Sequence, residues 1–92
     1  MVHKEKSYAL MLAQGIRKLL NMITDLSQEK QHSCCIVVVK AIDYLINEET
    51  SIHVLFELLQ MTILYAPESM LVKIGQLFTQ CEQLKQKVII NN

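Results

Sequence analysis

His32-x-Cys34-Cys35 is the densest cluster of chemistry-bearing side chains in this sequence. An imidazole beside two thiols could hold a soft metal or activate a nucleophile. A structural zinc site, however, takes thiols spaced Cys-x₂₋₄-Cys with a second pair further along the chain. Here the thiols are adjacent, so on a helix they point about 100° apart. Only Cys81 remains as a third. No metal and no cofactor is expected, and at least two of the three cysteines should pack as small hydrophobes. A cysteine nucleophile would need a base held beside it and a group to orient that base. His32 and His53 could serve as bases, but no orienting or oxyanion partner is recognisable. Lys40 and Asp43, three apart on one helical face, read as a weak exposed ion pair. There is no glycine-rich phosphate loop and no basic–aromatic stripe for nucleic acid. The chain is therefore not expected to be an enzyme.

Two consecutive segments carry most of the remaining information: Cys34–Asn47 and Ile52–Tyr65. As helices, each has a thin polar line, Lys40, Asp43 and Asn47 on one and His53, Glu57 and Gln60 on the other. A helix that is apolar nearly all round must be covered nearly all round. The chain has 92 residues, of which 51% are hydrophobic. A single domain of this size hides roughly 60–65% of the surface its unfolded form exposes. Some of that apolar surface is therefore expected to meet a partner.

The bulk composition narrows the class. Two glycines and one proline leave little material for the turns of a β fold. Nine basic and nine acidic residues cancel, so nucleic-acid binding lacks its electrostatic footprint. No stretch reaches the ~18 uninterrupted apolar residues of a membrane span. Lys4-Glu5-Lys6 is followed only by the short apolar run Tyr8–Ala13, which does not read as a secretory signal. Three cysteines, two adjacent, make no disulfide framework and fit a reducing cytoplasm.

The periodicity predicts a single all-α domain over residues 1–92, with helices at about 6–26, 34–47, 51–65 and 67–88. In the first, Ala9, Leu12, Ile16, Leu19, Ile23 and Leu26 recur in steps of three and four. Tyr8, Leu20 and Met22 widen the stripe, and Gly15 inside it suggests a close helix contact. Residues 27–33 read as a polar link with Ser33 as the next N-cap. Cys34–Val39 has strong β propensity, which keeps a strand open there. The continuation through Lys40, Asp43 and Asn47 favours helix. Glu48–Ser51 reads as a turn with Thr50 or Ser51 as cap. Pro67 fits a helix first turn, and Glu68 suits the helix dipole. The fourth helix carries Met70, Ile74, Leu77, Cys81, Leu84 and Val88, and Val88–Ile90 makes a sticky ending. Short links imply antiparallel neighbours, either a stack of helical hairpins or a four-helix bundle.

With Pro67 as the proline closing a repeat of about 34 residues, the hairpin resembles the tetratricopeptide family. Ile42, Ile46, Ile52, Leu55, Leu59 and Thr62 then take the family's packing positions, and Ile74-Gly75-Gln76-Leu77-Phe78 resembles the start of a following repeat. Asp43 and Leu55 depart from the small residues the family places there, and Ile74-Gly75 is about two residues out of frame, so the repeat is degenerate. In size, helix order, the stretch Ala41-Ile42-Asp43-Tyr44-Leu45, the apolar helix 52–65 and the break at Ala66-Pro67, the chain resembles the tetratricopeptide-like chaperones of bacterial type III secretion needle subunits. That resemblance implies a cytoplasmic bacterial chaperone. It would cradle an amphipathic needle-subunit helix in an apolar groove, beside a second small helical co-chaperone.

The expected function is accordingly a non-catalytic chaperone or adaptor holding a partner's amphipathic helix. Val39, Ile42, Leu55, Phe56 and Leu59 are the expected contact residues. The alternative is an obligate homo-oligomer in which the second and third helices pack on their own copies.

Overall fold

In the computed structural model the backbone is described for residues 2–48 and 50–91, and side chains for 8–48 and 50–87. Four helices follow one another: α1 (Val2–Met22), α2 (Gln28–Ile46), α3 (Ile52–Ile63) and α4 (Leu71–Asn91). Short 3-10 turns lie at Ile23–Asp25 and Glu68–Met70. No strand occurs among the described residues. The expectations for Glu49 and for the side chains of Val88–Ile90 lie outside what is described.

The link between α1 and α2 is shorter than the sequence suggests. Leu26 turns to an extended conformation, Ser27 caps α2, and the helix starts at Gln28. The Ser27 hydroxyl accepts the Lys30 backbone N–H at 3.4 Å. Gln31 donates its side-chain amide to the Ile23 carbonyl at 2.9 Å, tying the first turn of α2 to the end of α1. Ser33, the expected cap, lies inside the helix. The reason is propensity: Gln28-Glu29-Lys30-Gln31 is polar but built of good helix formers, and nothing in it breaks a helix. Polarity there marks a wet face.

The β-prone run Cys34–Val39 is helical. Cys35, Val38 and Val39 face inward, while Ile36 and Val37 face solvent. A strand would alternate these residues, whereas the helix gathers the buried ones with Ile42 and Leu45 on one side. Tertiary packing overrides the local preference. At the next boundary Ser51 stands at the N-cap of α3 without a side-chain cap bond. Pro67 occupies the N-cap of the second 3-10 turn, with Glu68 in the first turn as expected.

The neighbours of each helix decide between stack and ring. α1 packs on α2 and α3, and α4 packs on the same pair from the other side. Each helix thus touches the next and the next but one, the zigzag of stacked hairpins. A closed four-helix ring would instead seat α1 against α4. Among the described residues two ion pairs cross the seams: Arg17 forks onto Glu57 at 2.5 and 3.2 Å between α1 and α3, and Lys73 lies 3.5 Å from Asp43 between α4 and α2. Asp43 therefore pairs across helices, not with Lys40 as its spacing suggested.

This arrangement answers much of the apolar excess in the middle of the sequence. α2 and α3 are each covered on two sides, and their side chains supply half of the buried apolar core among the described residues. Ile42, Leu45, Leu55, Leu58, Leu59 and Val38 are all essentially inaccessible. Of the positions compared with repeat packing, Ile42, Leu55, Leu59 and Thr62 are buried, and Ile46 and Ile52 are half-buried.

Candidate functional site

Four of the five expected contact residues are not at a surface. Val39, Ile42, Leu55 and Leu59 lie in the core, enclosed by the chain's own helices. Phe56 is half-buried and meets Phe78 of α4, ring centroids 6.1 Å apart. A groove built from these side chains is already filled. Sequence alone named the most apolar faces, and those are the faces a fold uses first.

The chemistry-bearing cluster is likewise dispersed. Cys35 is buried and its thiol points to the Thr62 carbonyl at 3.7 Å, while Cys34 and His32 are half-buried and Cys81 lies in the core. Burial pushes the Cys35 thiol above the ordinary range, with the adjacent Cys34 adding to the shift. Burial does the same to Cys81, with Glu82 adding to it. Both shifts favour the protonated, unreactive thiol. Among the described residues no three His, Cys, Asp or Glu side chains gather where they could hold a metal ion. His53 is exposed on α3.

One exposed apolar surface lies along the seam of α1 and α2, and another at the α3–α4 corner, where Ile63, Leu64, Leu71 and Val72 are exposed. α1 and α2 run antiparallel: Gln31 meets Ile23 at one end, and Tyr8 stacks edge-on against Tyr44 at the other, centroids 6.0 Å apart. Between those ends is an open cleft of about 260 Å³ lined by Met11, Leu12, Gly15 and Leu19 of α1 and by Val37 and Ala41 of α2. Met11 is 68% exposed and Val37 62%, high values for large apolar side chains. A Cβ placed on Gly15 would meet nothing within 4 Å, so this glycine leaves a notch in the groove floor. The close helix contact expected at Gly15 does not exist within the chain.

A signal for this face was present in the sequence. Tyr8, Met11, Gly15 and Met22 recur in steps of three, four and seven, which makes a second stripe on α1 beside the buried one. All four are exposed. On α2, Val37, Ala41 and Tyr44 continue it across the seam. Reading Tyr8 and Met22 as a widening of one stripe concealed that α1 has two.

Two other clefts differ in character. One of about 240 Å³ lies where Ala9, Leu10 and Ala13 of α1 meet Thr50, Ser51 and Val54. The Thr50 hydroxyl there is buried without a hydrogen-bond partner. The other, about 330 Å³ between α2 and α4, mixes the polar side chains Asp43, Asn47, Gln80, Gln83 and Lys87 with Ile46 and Leu84. No helix among the described residues is long and apolar enough to cross a membrane. Comparison with family models, curated proteins and solved structures finds no match to this chain.

Proposed function

We propose that this chain is a non-catalytic binding protein, a chaperone or adaptor that holds an amphipathic helix of a partner along the α1–α2 groove. The observation that carries the reading is the exposed apolar seam of Met11, Gly15 and Val37, closed at one end by the Tyr8–Tyr44 pair. Apolar surface kept in water at a helix–helix seam is the usual form of a helix-in-groove site. The groove is open and smaller than the ~300–1,000 Å³ pockets that enclose small molecules. A row of side chains from a helix suits it better.

The resemblance to needle-subunit chaperones gives the reading a concrete candidate: a helix of a type III secretion needle subunit, in a bacterial cytoplasm, with or without a second small helical co-chaperone. The contact surface then shifts from the α2–α3 pair to the outer seam of α1 and α2. The rival reading, self-association through α2 and α3, has less surface to use, because α1 and α4 cover that pair.

The test is co-expression with a needle-subunit helix, followed by light scattering on the purified species. A one-to-one complex with the intact chain, lost in Met11→Asp/Val37→Asp while helicity persists, is the expected result. A symmetric oligomer of this chain alone, indifferent to those substitutions, would sink the reading. Gly15→Gln adds a second check: its Cβ would meet nothing within 4 Å, and the longer side chain should obstruct the groove and weaken capture at unchanged fold.

A further inference from the structure

We infer that the α1–α2 groove selects a helix whose apolar stripe is flanked by carboxylates. This rests on the docking reading above and adds the partner's charge. The apolar seam is bordered along its middle by lysines. Lys18 falls between Gly15 and Met22 on the exposed stripe of α1, and Lys40 adjoins Ala41 on the outer side of α2; both are exposed. Lys30, also exposed, stands in the first turn of α2.

Among the described residues, one acidic side chain, exposed Glu29, stands beside Lys30 in the first turn of α2, and others are directed elsewhere. Glu57 is taken up by Arg17 at the α1–α3 seam, and Asp43 by Lys73 at the α2–α4 seam. Asp25 sits in the 3-10 turn beyond one end of the groove, and Glu48 at the other end lines the neighbouring cleft. A chain with as many acidic as basic residues thus presents a cationic border, Lys18 and Lys40, along the middle of this apolar seam.

That border selects among occupants. A second copy docked groove to groove would set lysines against lysines, which costs affinity. A lysine-flanked helix meets the same repulsion. A flat lipid surface matches the charge but not the shape, since the apolar side chains line a cleft with a notch at Gly15 rather than a ridge. An acidic amphipathic helix matches both. Exposed ion pairs are each worth only a few-fold in affinity, so the lysine border amounts to about tenfold in choice of partner and acts mainly on the rate of encounter.

The experiment uses the full chain and two fluorescent helical peptides of about 18 residues, long enough at 1.5 Å per residue to span the groove. Both carry the same leucine stripe, flanked by glutamate in one and lysine in the other. The glutamate peptide should bind about tenfold tighter at low salt, and the gap should close in high salt. Lys18→Glu/Lys40→Glu should reverse the preference, and Val37→Asp should abolish both interactions. Equal binding of the two peptides, still lost in Val37→Asp, would overturn the charge selection and leave the groove reading intact. Failure of both peptides to bind would overturn the charge selection and the groove reading together. A dimer dissolved by Val37→Asp would assign the groove to a second copy. Sedimentation with phosphatidylglycerol vesicles, lost in the lysine reversals, would assign it to a lipid surface. Either of those results overturns the inference.

Discussion

Val37 and Val39 stand two residues apart on α2, yet one is 62% exposed and the other 1%. Val37→Ser should therefore leave the unfolding midpoint nearly unchanged, within about 0.5 kcal/mol. Leu59→Ala or Ile42→Ala should cost about 2–5 kcal/mol through lost burial and a residual cavity. Urea unfolding followed by circular dichroism checks the contrast. A large loss for Val37→Ser, or a negligible one for Leu59→Ala, would mean that these helices pack differently. The thiols give a second prediction at this scale. Cys35 and Cys81 titrate above the ordinary thiol value in the folded chain. Below about pH 8.5 both folded and unfolded thiols hold their protons. As pH rises past that point the unfolded chain ionises first, so stability falls towards the raised folded values. Denaturant midpoints measured between pH 7 and pH 10 should decline, and less so in Cys35→Ala/Cys81→Ala. A native thiol probe should find Cys34 first, because it alone of the three cysteines is not in the core.

Ser27, not Ser33, starts α2. Ser27→Ala should lower stability by about 0.5–1 kcal/mol, towards the small end of cap effects because its bond to Lys30 is long. Ser33→Ala should be neutral or slightly stabilising, as expected for an exposed position inside a helix. The reverse outcome in thermal melts would move the start of α2 back to where polarity alone suggested. The four helices and their order were readable from the sequence because apolar positions recur in steps of three and four in the first and fourth, and thin polar lines at helical spacing run along the second and third. The α1–α2 boundary was not, because Gln28–Ser33 is polar for reasons of exposure and helical by propensity. The pairing of Asp43 was not readable either. Spacing points to Lys40 on the same helix, while the partner is Lys73, thirty positions away on α4. The groove was legible only in part. Tyr8, Met11, Gly15 and Met22 could be seen as a stripe, but which of the two α1 stripes would face the core depended on how α2 and α3 were placed. Four of the expected contact residues, Val39, Ile42, Leu55 and Leu59, are buried for the same reason: apolarity marks what must be covered, and the covering came from within the chain.

At the scale of the whole molecule, α2 and α3 form a central pair with one helix docked on each side. The Arg17–Glu57 and Lys73–Asp43 pairs fasten the outer helices at partly exposed seams, and each contributes about 0.2–1 kcal/mol. Glu57→Gln should accordingly lower stability by less than about 1 kcal/mol and leave helicity unchanged; a larger loss in a denaturant titration would show that α1 depends on this contact. Because the two outer helices are seated separately on the central pair, either can lift away while the other stays down. Such partial opening is a normal route for amide exchange with solvent. Backbone amides of α1 and α4 should then exchange faster than those of α2 and α3, in two separable groups. One wall of the apolar seam belongs to α1 and the other to α2, so an occupant would act as a clasp between them. With a ligand at about a hundred times its Kd, the opening of α1 should become about a hundredfold rarer, while α4 keeps its own pace. The position of the slowed amides would thus report where the occupant sits without any substitution in the chain.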